Sequence, residues 1–184
     1  VAKGHQGVID RLSAHDFHFT YGENLGAKDC PVPMGRFDWH PTRPPVCLDL
    51  WGDQQRAPGP ALTTIAKWSH HSTDVAWKGY DSKDVVWGGH VWRWSKRDEF
   101  LKFIDLPSDS RLPLEIAIGS TGSDIETLQR SGWLTRPAAT LNDPDVYREY
   151  IQSSRGEFTV SKDQYVSSRS GWFSDRSVCY LAAG

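Results

Sequence analysis

From residue 62 onward the chain alternates short apolar runs of strand length with segments of helical period. That rhythm restricts the fold more than any other feature, because a strand–helix–strand order joins its strands in parallel. Residues 62–66 and 114–118 are continuous β-rich runs, as expected of strands buried on both faces. A helix is expected to start near Ser95 and run through Ile104. A second begins at Asp124, with Ser123 as its cap and Gly132 closing it. Trp133 and Leu134 read as a short strand. Asp143-Pro144-Asp145 opens a third helix with Pro144 at the first helical position, where its missing N–H is not needed. Residues 157–160 lie in a further strand, within an extended run from 154 to 162. The expected class is α/β with a Rossmann-like parallel sheet.

The rest of the chain is less regular. Residues 1–14 suit a short helix. Residues 15–60 are rich in Gly and Pro and read as an irregular crossing with one buried strand at 46–50. Residues 67–95 are an insertion between the first strand and the first helix. Within it, Gly88-Gly89 stands between β-rich arms, a hairpin signal. Trp77, Trp87, Trp92 and Trp94 lie around that hairpin. Their rings are expected to cover a sheet edge; the functional reading is a wall on which a sugar stacks.

Charge and composition exclude several classes. The net charge of −2 argues against general binding to nucleic acid or anionic membranes. No apolar run approaches the roughly 20 residues that cross a bilayer. The N-terminus has neither an initiator Met nor a signal-peptide core. Cys30, Cys47 and Cys179 are too scattered for a disulfide framework or a zinc site, so a reducing cytoplasm is the expected location. His15, Asp16 and His18 have suggestive spacing but no third firm ligand, and no metal is expected. His70-His71 reads as a surface pair. No Gly-x-Ser-x-Gly elbow, no phosphate-binding Gly-x-x-x-x-Gly-Lys-Ser/Thr loop and no Gly-x-Gly-x-x-Gly turn occurs.

The final segment carries the chemistry. Ser170-Gly171-Trp172-Phe173-Ser174-Asp175-Arg176-Ser177 is a polar loop between an extended run and an apolar helix. A helix start exposes unpaired N–H groups and the positive end of the dipole, and so can hold phosphate. Gly171 would let phosphate approach the main chain. Ser174, the expected N-cap, and Ser177 offer hydroxyls, and Arg169 or Arg176 adds charge. Lys96 and Arg97 open the first helix, where cations oppose the dipole unless an anion is bound. Lys162 ends the last strand, where open α/β sheets place ligands, and Glu157 begins it, able to accept from a sugar or ribose hydroxyl. The ordinary alternative is a capped helix with solvated charges.

These residues resemble a family. The segment GEFTVSKDQYVSSRSGWFSDRSVCYLAAG is similar to the donor-binding region of bacterial glycosyltransferases of GT-B type, whose members share variants of SGWFSDRS-x-x-YLA-x-G followed by a Pro-Val strand. HFTYGENLGAKDCPVP, WHPTRPPVCLDLW, LTTIAKW and WSKRDEFLKFIDLP match the same family in order, so the resemblance covers most of residues 15–184. It implies that residues 1–59 are the tail of an N-terminal acceptor domain and the interdomain segment. It makes residues 60–184 part of a nucleotide-sugar donor-binding domain, incomplete at both ends and inactive alone. The implied donor substrate is a nucleotide-diphosphate sugar, with no tightly bound cofactor. The implied contacts are Lys96, Glu157, Lys162 and the loop residues Ser170, Gly171, Trp172, Phe173, Ser174, Arg176 and Ser177. His18 and Glu23 would lie along the interdomain cleft as catalytic candidates. The two glutamates common in retaining members are replaced here by Gly171 and Cys179, leaving the stereochemistry and the ribose contact open. The base, the sugar, the acceptor and the oligomeric state also stay open. The competing readings are a non-catalytic carbohydrate- or protein-binding module on the same fold, or an assembly domain using the Pro-rich stretch.

Overall fold

The computed structural model describes residues 4–52, 57–68, 84–119 and 122–184. Its elements in chain order are α1 (Gln6–Ser13), β1 (His18–Thr20), β2 (Trp39–Pro41), α2 (Leu48–Trp51) and β3 (Leu62–Ala66). The hairpin strands β4 (Val85–Trp87) and β5 (His90–Trp92) come next, followed by α3 (Arg97–Leu101), α4 (Leu106–Asp109), β6 (Leu114–Ile118), α5 (Ser123–Arg130) and β7 (Leu134–Pro137). A 3-10 turn (Ala138–Leu141), α6 (Pro144–Gln152), β8 (Gly156–Glu157), α7 (Asp163–Ser168) and α8 (Asp175–Ala183) complete the chain. No helix among the described residues is long and apolar enough to cross a membrane.

The central sheet is parallel, with strand order β7-β6-β3-β8. Successive side chains of a strand point to opposite faces, and both faces of this sheet are apolar. Leu62 and Ala66 of β3 join Leu114, Ile116 and Ile118 of β6 in one core, covered by Phe100, Leu128 and Trp133. Ile65 and Ala117 point the other way, into a second core with Leu141, Tyr150, Ile151 and Tyr180. Helices α3, α4 and α5 thus cover one face, while α6 and α8 cover the other. The result is a three-layer α/β arrangement with two hydrophobic cores.

Local signals explain most boundaries. Asp143 caps α6, accepting from Asp145 N at 2.9 Å and Val146 N at 3.1 Å, and Pro144 sits in the first turn. Gly88 and Gly89, with φ of 61° and 75°, form the two-residue hairpin turn; such a turn needs positive φ at both positions. Helix α5 starts at Ser123 with Gly122 at the cap position, so Ser123 is not the cap.

Further expectations are corrected. Residues 46–50 do not form a buried strand: Leu48 and Leu50 are exposed and begin α2. Pro44 and Pro45 precede this run and supply no backbone donor, so no ladder starts there. The expected strand at 157–160 pairs with β3 only through Gly156 and Glu157, although Phe158 N still donates to Thr63 O at 3.0 Å. Residues 163–168, to which the sequence reading gave no element, form α7. The hairpin tryptophans are not core: Trp87 and Trp94 are more than a third exposed, whereas Trp68 and Trp133 are buried. Trp77 and His70-His71 lie outside the described residues.

Phe100 is fully buried and meets Trp68, Trp133 and Phe158 with ring centroids 5.2, 4.9 and 6.1 Å away. Phe100→Ala is expected to remove about 3–5 kcal/mol of stability, read as a lowered urea midpoint. A loss below about 1 kcal/mol would mean that this aromatic cluster does not hold α3 on the sheet.

Candidate functional site

The strand order reverses between β3 and β8, which are adjacent in space but separated by β6 and β7 in sequence. In open α/β sheets the crevice outside the carboxyl ends of such strands is where ligands bind. A cavity of about 300 Å3 lies there. Ile65 and Lys67 line it from the end of β3, Thr159 to Lys162 from beyond β8, and Ser174 to Ser177 from the start of α8. Lys96, Tyr165, Trp172 and Phe173 complete the wall.

Each basic group reaches this place for a structural reason. Ser95 ties the loop after β3 to α3: its hydroxyl donates to Trp68 O at 3.0 Å and accepts from Arg97 N at 3.2 Å. This fixes Lys96 at the cap position of α3, where it is 8% exposed and lines the cavity. Its ammonium makes no hydrogen bond or ion pair among the described residues. Burial and then the neighbouring Arg176 push its pKa down to about 7, with Glu157 opposing and Lys162 adding to the effect. Lys162 follows β8 and stands 4.8 Å from the centroid of the Trp94 ring, a cation–π contact. Burial, and then Lys67, lowers its pKa as well. Arg176 lies in the first turn of α8 and donates to Glu157 at 3.0 Å through a largely buried ion pair.

Four basic side chains, Lys67, Lys96, Lys162 and Arg176, therefore border one cavity. Glu157 offsets Arg176, and the exposed Asp175 is the carboxylate on the cavity wall. Ser174 occupies the N-cap position of α8, but its side chain caps no amide. The first amides of a helix have no partner within it, so this end of α8 can still donate. Trp172 stacks on Tyr165 with centroids 4.1 Å apart and planes 14° apart, giving the cavity one flat aromatic wall. The arrangement suits an anion attached to a planar or apolar group.

Of the residues singled out from sequence, Lys96, Lys162, Trp172, Phe173, Ser174, Arg176 and Ser177 line this cavity together. Glu157 does not; its carboxylate is committed to Arg176. Arg97 turns to Asp124 at 3.0 Å. Ser170 and Gly171 lie behind the loop, against residues 22–24. Ser170 O accepts from Asn24 N at 3.0 Å, Asn24 Nδ2 donates to Arg169 O at 2.8 Å, and Gly22 bridges Trp172. A Cβ on Gly171, at φ of 70°, would lie 2.8 Å from Asn24 N. The absence of a side chain there thus serves close packing of two chain segments, not the approach of phosphate to the main chain.

The catalytic candidates are displaced too. His18 Nε2 is 2.7 Å from Leu12 O, and its ring meets Phe37 and Trp39. Glu23 pairs with Arg43 at 2.8 Å, and that hydrogen bond holds its carboxyl below its ordinary pKa. Neither lines the cavity. Sequence reasoning missed Lys67 and Tyr165. Lys67 follows directly on the first strand, the position from which it could have been found; Tyr165 sits on the unforeseen α7. No family model, curated protein or solved structure matches this chain.

Two outcomes follow from this geometry. Gly171→Ala is expected to cost about 1–3 kcal/mol and to speed amide exchange at Asn24; unchanged exchange would mean the contact is incidental. Lys96 binds protons less tightly in the folded chain than its ordinary value of 10.5. The penalty of its buried charge is therefore full below about pH 7 and fades as pH rises towards the unfolded value. In buffer free of phosphate and sulfate, Lys96→Met should raise the melting temperature most at acid pH and less at alkaline pH. An equal or opposite change would show that the ammonium is solvated.

Proposed function

We propose that this domain binds a nucleotide-diphosphate sugar and serves a glycosyltransferase of GT-B type as its donor-binding part. The observation carrying this reading is the convergence of Lys67, Lys96, Lys162 and Arg176 on one cavity at the β3–β8 reversal, beside the uncapped start of α8. A diphosphate neutralises several cations at once; a neutral sugar neutralises none. The loop sequence SGWFSDRS, with its likeness to transferase donor sites, supports the same choice.

In this reading the diphosphate lies against the α8 amides and the hydroxyls of Ser174 and Ser177. Lys96 and Arg176 face the phosphate that carries the sugar. As the bond from the anomeric carbon to the phosphate oxygen breaks, the electron pair stays on that oxygen. Fixed cations in a partly dry cavity stabilise the developing charge without reorganising. The acceptor hydroxyl oxygen forms the new bond to the anomeric carbon, and its proton passes to the departing diphosphate or to solvent. Trp172 and Phe173 offer apolar surface to the nucleoside or sugar.

UDP and GDP titrated with and without their sugars should bind and slow amide exchange at 174–177. Lys162→Ala should weaken the diphosphate more than the free nucleoside, by about tenfold or more for a lost charge-assisted contact. Binding of oligosaccharide with no response to either nucleotide would defeat the proposal and favour a carbohydrate-binding module.

A further inference from the structure

Lys96 is a buried cavity cation with no hydrogen bond or ion pair among the described residues. It is over nine-tenths buried, lines the cavity, and is held in place by the Ser95 bonds on either side of it. The charged groups around it come from every packed element. Arg176 comes from the start of α8, Glu157 from β8, Lys162 from the turn before α7, and Lys67, which acts on Lys162, from the end of β3. Asp175 and Tyr165 complete the titratable wall. Glu157 already accepts from Arg176 at 3.0 Å and so does not serve Lys96 as a dedicated counter-ion.

We infer that the cavity takes up its anion together with one proton, which Lys96 receives as the anion binds. This rests on the proposed diphosphate site and adds its regulation. The physical reason is a competition. With the cavity filled by water, an ammonium buried beside a guanidinium is unfavourable, and releasing the proton relieves both burial and repulsion. An anion reverses the balance by giving the ammonium a charged partner at close range. Arg176 cannot take this part, because a guanidinium keeps its proton throughout. Lys96 is thus the residue that links affinity to pH, and a diphosphate leaving the cavity would release the proton again.

The test uses sulfate, whose charge does not change across the range, so that any pH dependence belongs to the protein. The intact chain is titrated at several pH values between about 6 and 9, and calorimetry in buffers of different ionisation enthalpy counts protons. With a free-state pKa of about 7 for Lys96, sulfate affinity should fall about fifty-fold from pH 7 to pH 9. Nearly one proton should be taken up per sulfate at the upper end. Lys96→Arg should bind with a flat profile and no proton uptake, and Lys96→Met should bind weakly and also without slope. A flat wild-type profile, or a slope that survives in Lys96→Arg, would overturn the inference. Either result leaves the anion site itself in place. Binding of sulfate with the expected slope but no response to UDP or GDP would overturn the nucleotide-sugar reading instead. Absence of sulfate binding at every pH would overturn the proton-coupled site outright.

Discussion

Two residue pairs join β3 to β8, Leu62 with Gly156 and Thr63 with Glu157, whereas β3 and β6 share five. The site depends on this short ladder. Phe158 N makes the last bond to β3, at Thr63 O, and no ladder pairs residues 159–162 with β3, which continues to Ala66. A full-length ladder would close the space where the two chains part. The start of α8 fills the back of this gap. Tyr180 Oη meets Thr63 Oγ1 at 2.6 Å, and Thr63 Oγ1 meets Ser154 Oγ at 2.7 Å. Those hydroxyls bind the helix to the strand end opposite the cavity, so the first turn of α8 faces the opening. The chain geometry thus turns one end of one helix toward the cavity.

The electrostatics of the opening oppose the stability of the fold. Lys96 is costly as an ammonium, because burial and Arg176 both act against its charge. Lys162 carries a milder form of the same burden, from burial and Lys67. A fold under no other demand would place a Leu or Met at position 96 and gain from it. Perturbed basic groups that share a cavity are the pattern expected where stability yields to binding. The buried Arg176–Glu157 pair tempers this by bringing one carboxylate into the cluster. It leaves the cluster positive and orients the guanidinium.

The sequence conveyed the sheet and much of the cavity because those signals are local. β3 and β6 are runs of strand length, Asp143-Pro144 is a helix start, and Gly88-Gly89 is a turn; each is decided within a few residues. Lys96, Lys162, Trp172 and Arg176, which line one cavity, were legible from sequence because they sit at element ends near the strand termini. What escaped depends on contacts distant in sequence. Val46 to Leu50 has strand composition, but no neighbouring strand supplies a ladder, so a helical turn forms. The charges that act on Lys96 come from Glu157, Lys162 and Arg176, more than sixty residues further along the chain. His18 and Glu23 carry reactive groups, and only tertiary partners, the Leu12 carbonyl and Arg43, show those groups engaged elsewhere.

Gly171 illustrates how a structure can give a glycine a reason other than the one its sequence suggests. A glycine before a phosphate-binding helix suggests room for phosphate, yet its open side meets Asn24. Residues 22–24 are bound to 169–172 by two hydrogen bonds and a bridge, across 145 residues of chain between Asn24 and Arg169. This contact fixes the loop from behind, while Tyr165 supports Trp172 from the side. The loop therefore reaches the cavity with its conformation already restrained, and less entropy is lost when a ligand binds. Glu23 belongs to the same segment, tied by Arg43 to the chain just past β2. Its place in the molecule is in the mooring of the loop before α8, one step removed from the cavity that loop lines.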